Sequence, residues 1–360
     1  MKTIFFLPLS LCLITTLSAD SVRAGAIADD GDYTALQARV EKLEKEPRTL
    51  SSYRDIGVAE RRGNVYLEGE LLYWKISEEN LSIAMQTSEE GEIINGHVVH
   101  PDFQWEPGFR LGAGISFSGT NSDARVRWTH NSSNIHDNSV PTPPNVFEGL
   151  NHNAKSFDFR WKSKLDMGDI ALGHTIALNK HFQARPFAAL QAIRLTQNTE
   201  ATYFGSEMTT VVDPYQWILK QQSRFCGLGP VVGADLLWTC YKGFSIYGTG
   251  AGMLYYGRVS SSQIQQEKEL VAAPFESSFS FDDSLYTNKF GYNLGVGARF
   301  DGSFSADSVH VGFALGWELL SLPDQNQWSR TMTLPNTNAL GNIGGAFNAQ
   351  GLVLKLVVGF

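Results

Sequence analysis

The chain is predicted to be all-β, folded as a transmembrane antiparallel up-and-down β-barrel of about ten strands, and three observations lead there. From Gly63 onward apolar side chains recur at every second position: Trp105, Phe109, Leu111, Ala113, Ile115 and Phe117 stand against Glu106, Gly108, Arg110, Gly112, Gly114 and Ser116. Successive side chains of a strand point to opposite faces, so this period places one face against oil and the other against water. Composition agrees: the 34 glycines, 22 phenylalanines, 12 tyrosines and 8 tryptophans suit closely approaching strands and interfacial aromatic girdles. Finally, short connections (119–123, 179–181, 241–243, 302–308) alternate with long ones (87–102, 132–153, 205–219, 260–285, 321–346), the pattern of short inner turns and long outer loops.

Several classes are excluded on composition. Mean hydropathy is −0.17, and beyond the N-terminal segment no run approaches the roughly 18 apolar residues a spanning helix needs. A net charge of −8 argues against a nucleic-acid partner, which would meet a basic face.

In chain order, residues 1–24 read as a secretory signal: Lys2 supplies the positive start, Ile4 to Leu17 the apolar segment, and Ala19 or Ala24 a cleavage site. Residues 25–62 form a periplasmic leader, with a short helix from Asp32 to Pro47 carrying Leu36, Val40 and Leu43 at a four-three spacing, then a polar linker. That helix is an oligomerisation or wall-contacting element, or a solvated leader. Residues 63–360 are the barrel. Its first strand sets Val65, Leu67, Leu71 and Tyr73 against Glu68, Glu70, Leu72 and Trp74.

Further on, Val126 and Trp128 oppose Arg125 and Arg127, and Phe157, Phe159 and Trp161 oppose Asp158, Arg160 and Lys162. Ile170 and Leu172 then carry the opposite parity, which predicts a bulge near Met167 to Asp169. The remaining strands fall near 182–204, 223–240, 244–259, 286–301, 309–320 and 347–360, and the total becomes twelve if Leu81 to Met85 forms a separate pair member. The mature chain holds Cys226 and Cys240; about fourteen residues of extended strand between them preclude a disulfide.

Five stretches carry resemblances. The C-terminal strand sets Leu352, Leu354, Leu356, Val358 and Phe360 on one face and Lys355 and Gly359 on the other; Leu356, Val358 and the terminal Phe360 resemble the insertion signal of bacterial outer-membrane barrels. Tyr66-Leu67-Glu68-Gly69-Glu70-Leu71-Leu72-Tyr73-Trp74-Lys75 resembles the first-strand signature of the Legionella-type major outer membrane protein family, also found in environmental chlamydiae. Phe225-Cys226-Gly227-Leu228-Gly229-Pro230, Arg185-Pro186-Phe187 and the run from Gly243 to Gly257 are similar to further family motifs. The resemblance covers residues 63–360. It implies an integral barrel of the bacterial outer membrane and passive pore formation, and carries over no catalytic residue.

Function is therefore sought in the lumen. The inward set expected from parity is Glu68, Glu70, Glu106, Asp158, Asp235 and Glu318 with Arg110, Arg125, Arg127, Arg160, Lys162, Arg299 and Lys355. Opposed acidic and basic walls suit a porin-like channel for passive diffusion of small hydrophilic solutes; Arg110, Arg125, Arg127 and Arg160 facing Glu68 and Glu70 are the expected eyelet. The alternative is a structural or adhesive surface barrel, its lumen plugged by salt bridges and its outer loops binding partners.

No catalytic role is expected: Gly227, Gly229 and Gly233 depart from the dinucleotide spacing, and His97, His100, His130 and His136 read as solvated loop residues without metal-ligand spacing. No cofactor is expected. The expected partners are outer-membrane lipid and lipopolysaccharide and, through the C-terminal strand, the barrel-assembly machinery, with homo-oligomerisation left open.

Overall fold

The computed structural model describes residues 65–81, 84–87, 96–117, 119–138, 145–146, 153–206, 215–269, 276–304, 309–334 and 337–360. The signal, leader helix and linker expected over residues 1–62 lie outside the described residues.

Every described element is a strand. In chain order they are β1 (Val65–Glu78), β2 (Ala84–Thr87), β3 (Gly96–Val99), β4 (Trp105–Ser116), β5 (Ser122–Asp137), β6 (Asn145–Val146), β7 (Asn153–His174), β8 (Ile176–Ala177), β9 (Phe182–Ser206), β10 (Tyr215–Tyr241), β11 (Phe244–Glu269), β12 (Glu276–Phe304), β13 (Val309–Leu334) and β14 (Thr337–Gly359). Ten of them close a ring in the order β1-β4-β5-β7-β9-β10-β11-β12-β13-β14, all antiparallel. Closure is the pairing of the first strand with the last, from Tyr66 opposite Gly359 to Glu78 opposite Phe347. A sheet in lipid needs this, because a free edge would leave backbone groups unpaired. The β2–β3 hairpin reaches the wall through β6 and β7 and is not a member of the ring, so the ring count is ten and not twelve.

The alternation fixes which face meets lipid. Leu67, Leu111, Val126, Ile170, Leu294 and Leu354 all point outward and are at least a third exposed. Aromatic pairs mark the upper edge of this belt: Tyr73 stacks on Trp105 at 5.7 Å, Trp105 meets Trp317 edge-on at 5.7 Å, and Tyr256 stacks on Tyr286 at 5.8 Å. Their amphipathic rings suit the headgroup level. Cys226 and Cys240 both lie on β10, exposed and unbridged.

Two expectations need correction. The bulge at Met167 to Asp169 is absent: β7 pairs with β9 without a break from Ser156 to Gly173. Phe157, Phe159 and Trp161 therefore face inward and are buried, while Asp158, Arg160 and Lys162 face outward. In this upper part of the strand the outer wall meets water, so charge belongs outside and apolar bulk inside. Second, most of the long connections expected at 205–219, 260–285 and 321–346 are strand. β9 to β14 run 23 to 29 residues, where about ten suffice to cross a bilayer. At about 3.3 Å per residue and a tilt near 40°, such strands rise roughly 60 Å or more, well beyond the hydrocarbon.

Candidate functional site

The lumen has two tiers, and the change of tier is visible on β1. Its inward residues are Tyr66, Glu68 and Glu70 near the periplasmic end, then Leu72, Trp74 and Ile76 toward the outside.

In the lower tier charges are paired across strands. Arg110 on β4 is a hub: its guanidinium donates to Glu70 at 2.5 Å, to Glu318 on β13 at 3.0 Å and to Thr129 on β5 at 2.9 Å. Asn293 on β12 donates to the same Glu318 carboxylate at 2.5 Å, and the guanidinium lies 5.8 Å from the centre of the Trp74 ring above it. Lys355 on β14 bridges Glu68 at 2.7 Å and Glu70 at 3.0 Å, and Arg125 stands 3.9 Å from Glu68. A second hub is Arg185 on β9, which donates two bonds to Asp123 at 2.8 and 2.5 Å and one to Asp235 at 2.8 Å. Arg127 pairs with Asp169 at 3.3 Å, and Arg299 with Asp301 at 2.6 Å. Buried ions persist only when paired and hydrogen-bonded in this way, since desolvating each one alone costs several kcal/mol.

Glycine makes room for the network. A Cβ on Gly112 would collide with the Glu68 side chain, and one on Gly173 with the Arg185 guanidinium. Within the tier remains a cavity of about 180 Å³, lined by Glu68, Arg125, Arg127, Arg185, Asp235 and Thr249 among others. It is polar and large enough for several waters.

The upper tier is apolar. Trp74, Ile76, Trp161, Leu195, Tyr255, Leu320 and Phe347 project inward from six strands into one cluster with Phe159, Leu165 and Phe225. Trp74, Trp161, Tyr255 and Phe347 are 0 % exposed. Polar groups are interspersed here: Trp161 Nε1 and Gln197 Nε2 donate to Glu78 at 2.9 and 2.7 Å and Tyr255 donates to Gln191 at 2.5 Å, while Trp74 Nε1, Ser163 Oγ and Thr199 Oγ1 are buried without a protein partner. The connection after β1 adds to the plug from outside the ring. Leu81 is part of the cluster, Val99 and Phe103 pack on it, and Phe103 meets Trp161 edge-on at 5.6 Å. Glu79 N donating to Ala346 O at 2.9 Å and Asn80 Nδ2 donating to Gly344 O at 2.6 Å tie the start of this connection to β14.

Of the residues expected to line the lumen, Glu68, Glu70, Arg110, Arg125, Arg127, Asp235, Arg299, Glu318 and Lys355 come together in the lower tier. Asp158, Arg160 and Lys162 do not: Asp158 pairs on the outer wall with Arg160 at 3.3 Å and His136 at 3.1 Å, which also removes Arg160 from the expected eyelet. His130 and His136 are strand residues of β5, not loop residues, and His130 contacts Asp166 at 2.7 Å. The reading from sequence missed Asp123, Asp169 and Arg185. Parity with Arg125 places Asp123 inside; the bulge expected at Met167 to Asp169 masks the facing of Asp169, and Arg185 carries no sequence signal beyond its place in Arg185-Pro186-Phe187.

Compared with known proteins, residues 58–357 match the family profile described as Legionella pneumophila major outer membrane protein precursor. No curated protein matches the chain. Among solved structures it is similar to the outer membrane protease OmpT from Escherichia coli, with 11% identity, 86% of this chain and 99% of that one covered, and a TM-score of 0.41. It is also similar to the translocator domain of the autotransporter NalP from Neisseria meningitidis (13% identity, 91% and 97% covered, TM-score 0.28) and to a Pseudomonas aeruginosa FadL homologue (7%, 83% and 90%, 0.27).

Proposed function

We propose, from the premise that this chain belongs to the Legionella major outer membrane protein family and is an integral β-barrel of the outer membrane, that it is a closed surface barrel and not a standing diffusion pore. One observation carries this reading: the upper half of the lumen is filled by a packed, mainly apolar cluster in which Trp74, Trp161, Tyr255 and Phe347 are 0 % exposed. An ion crossing that layer would shed its hydration against apolar side chains, a cost of several kcal/mol or more. A barrel of ten strands is close to the size at which side chains fill the interior. What the protein offers instead is its outer wall. The strands of β9 to β14 rise far above the leaflet and present polar side chains such as Lys220, Glu200 and Gln222 outward, a display surface for contact with partners.

The test is electrical. Protein refolded into planar bilayers, with heat-modifiable electrophoretic mobility as proof of folding, is expected to give no stepwise conductance, whereas Trp161→Ala combined with Phe347→Ala is expected to open steps. Regular steps from the unaltered chain would overturn the reading.

A second reading, a channel opened by displacing the plug, is favoured by the part of the plug that comes from outside the ring, Leu81, Val99 and Phe103, lying above the polar cavity of the lower tier. In that case Phe103→Ala alone should produce conductance for small ions of both signs, because acids and bases alternate around the lower tier.

A further inference from the structure

The outer wall is not uniform around the ring. At the upper edge of the apolar belt one outward row crosses five strands and reads Asp166, Arg194, Cys226, Arg258 and Tyr286, each opposite the next. One step higher on β10 stands Arg224, and on β7 Lys164. Arg194, Arg224 and Arg258 are exposed. The one acid of these two rows, Asp166, is already engaged by His130 at 2.7 Å and by Lys164 at 3.9 Å. Arg194 and Arg258 flank Cys226 about 10 Å apart, two strand spacings, with Arg224 between them and roughly 7 Å higher. Guanidinium groups on side chains of that reach can converge on one anion. Arg258 is held toward Ser284 by a hydrogen bond of 3.0 Å. On the opposite arc the matching outward row reads Leu319, Gln350, Lys75 and Trp105, with a single cation.

Directly below the arginines the wall is grooved. Gly168, Ala192 and Leu228 leave a trough of about 600 Å³ between the rings of Trp128, Tyr256 and Tyr286. It opens because two neighbouring strands, β7 and β9, carry the small residues Gly168 and Ala192 at this level, with Leu228 of β10 along its side, and it lies within the belt that meets lipid.

We propose that this arc binds a phosphorylated lipid of the outer leaflet, the phosphate held by Arg194, Arg224 and Arg258 and one acyl chain laid in the trough over Gly168 and Ala192. Charge and grease meet here in the order a lipid requires: cations at headgroup level, a hydrocarbon-lined furrow beneath. Arginine suits the task, because its fork donates two bonds to a phosphate. The inference does not depend on whether the lumen is open or closed.

The test uses the full barrel, refolded in detergent, with bisphosphorylated lipid A as the probe and native mass spectrometry as the readout. The triple variant R194Q/R224Q/R258Q should bind the probe roughly tenfold more weakly or worse, as should the unaltered barrel when lipid A stripped of its phosphates is offered. Lys75→Gln on the far arc should bind as the unaltered chain does. Inorganic phosphate in large excess should fail to displace the lipid, since it gains nothing from the trough. Equal binding by the triple variant, equal binding of the stripped lipid, or full displacement by inorganic phosphate would each overturn the proposal. All three arginines are exposed on the outer wall, and unchanged heat-modifiable mobility of the variant keeps loss of fold out of the result.

Discussion

The lower and upper tiers of the lumen are built on the same ten strands with the same inward parity, yet one is a lattice of ions and the other a packed, mainly apolar core. On β1 the change takes two residues, from Glu70 to Leu72; on β13 it falls between Glu318 and Leu320. The residue at the boundary is Arg110, whose guanidinium is hydrogen-bonded below to Glu70 and Glu318 and covered above by the Trp74 ring. The difference teaches that strand parity decides only which way a side chain points. What it meets there depends on height along the barrel axis, both inside and outside the wall.

Substitutions at the boundary should separate the tiers most sharply. Arg110→Ala leaves the buried Glu318 carboxylate without its cation and Glu70 with Lys355 alone, and is expected to cost about 3–5 kcal/mol. Urea unfolding followed by the electrophoretic mobility shift would read it, and adding Glu70→Gln and Glu318→Gln should restore much of the loss; a lone Arg110→Ala as stable as the parent would break the account of the lower tier. In the belt, Leu294→Arg should destabilise by about 2–4 kcal/mol if it sits near mid-membrane, and the same change at the outward residue Ser262 should cost next to nothing. That pair of measurements fixes where lipid ends. In the upper tier Trp161→Phe removes the bond to Glu78 while keeping the aromatic bulk, and is expected to cost about 1–3 kcal/mol. Smallest of all, Arg160→Ala, which breaks an exposed ion pair with Asp158, should change stability by less than about 1 kcal/mol; a loss as large as that at Arg110 would mean that Arg160 faces inward after all.

The same contrast explains what could be read from the sequence. β1, β4 and the periplasmic half of β14 alternate cleanly between oil and water, and there the faces of Leu67, Glu68, Leu111, Arg110, Leu354 and Lys355 follow from the order of residues alone. Upper β7 defeats the same rule. Phe157, Phe159 and Trp161 look lipid-facing only if the apolar side is assumed to be the outer one. Above the leaflet that assumption reverses, because water lies outside and the packed core inside. The extended hairpins were hidden for a related reason. From Ser260 to Gln266 and from Ser280 to Ser284 polar residues occupy both faces, so no alternation announces a strand, although backbone pairing from Val259 opposite Leu285 to Gln263 opposite Phe281 continues regardless. Pairings such as Arg185 with Asp123 require the strand register as well as the parity, and register is set by closure of the whole ring.

The claim on which the account turns is that the upper lumen is sealed, and thiol accessibility tests it without relying on conductance. In a background with Cys226 and Cys240 replaced by serine, single cysteines would be placed at Ile193 and Val259, which face the plug, and at Ser262 on the outer wall. A water-soluble, membrane-impermeant maleimide added to folded protein in lipid vesicles should modify the cysteine at 262 within minutes and leave those at 193 and 259 unmodified until the barrel is unfolded. Modification of all three at similar rates would mean that water fills the upper tier, and the closed barrel would give way to an open one.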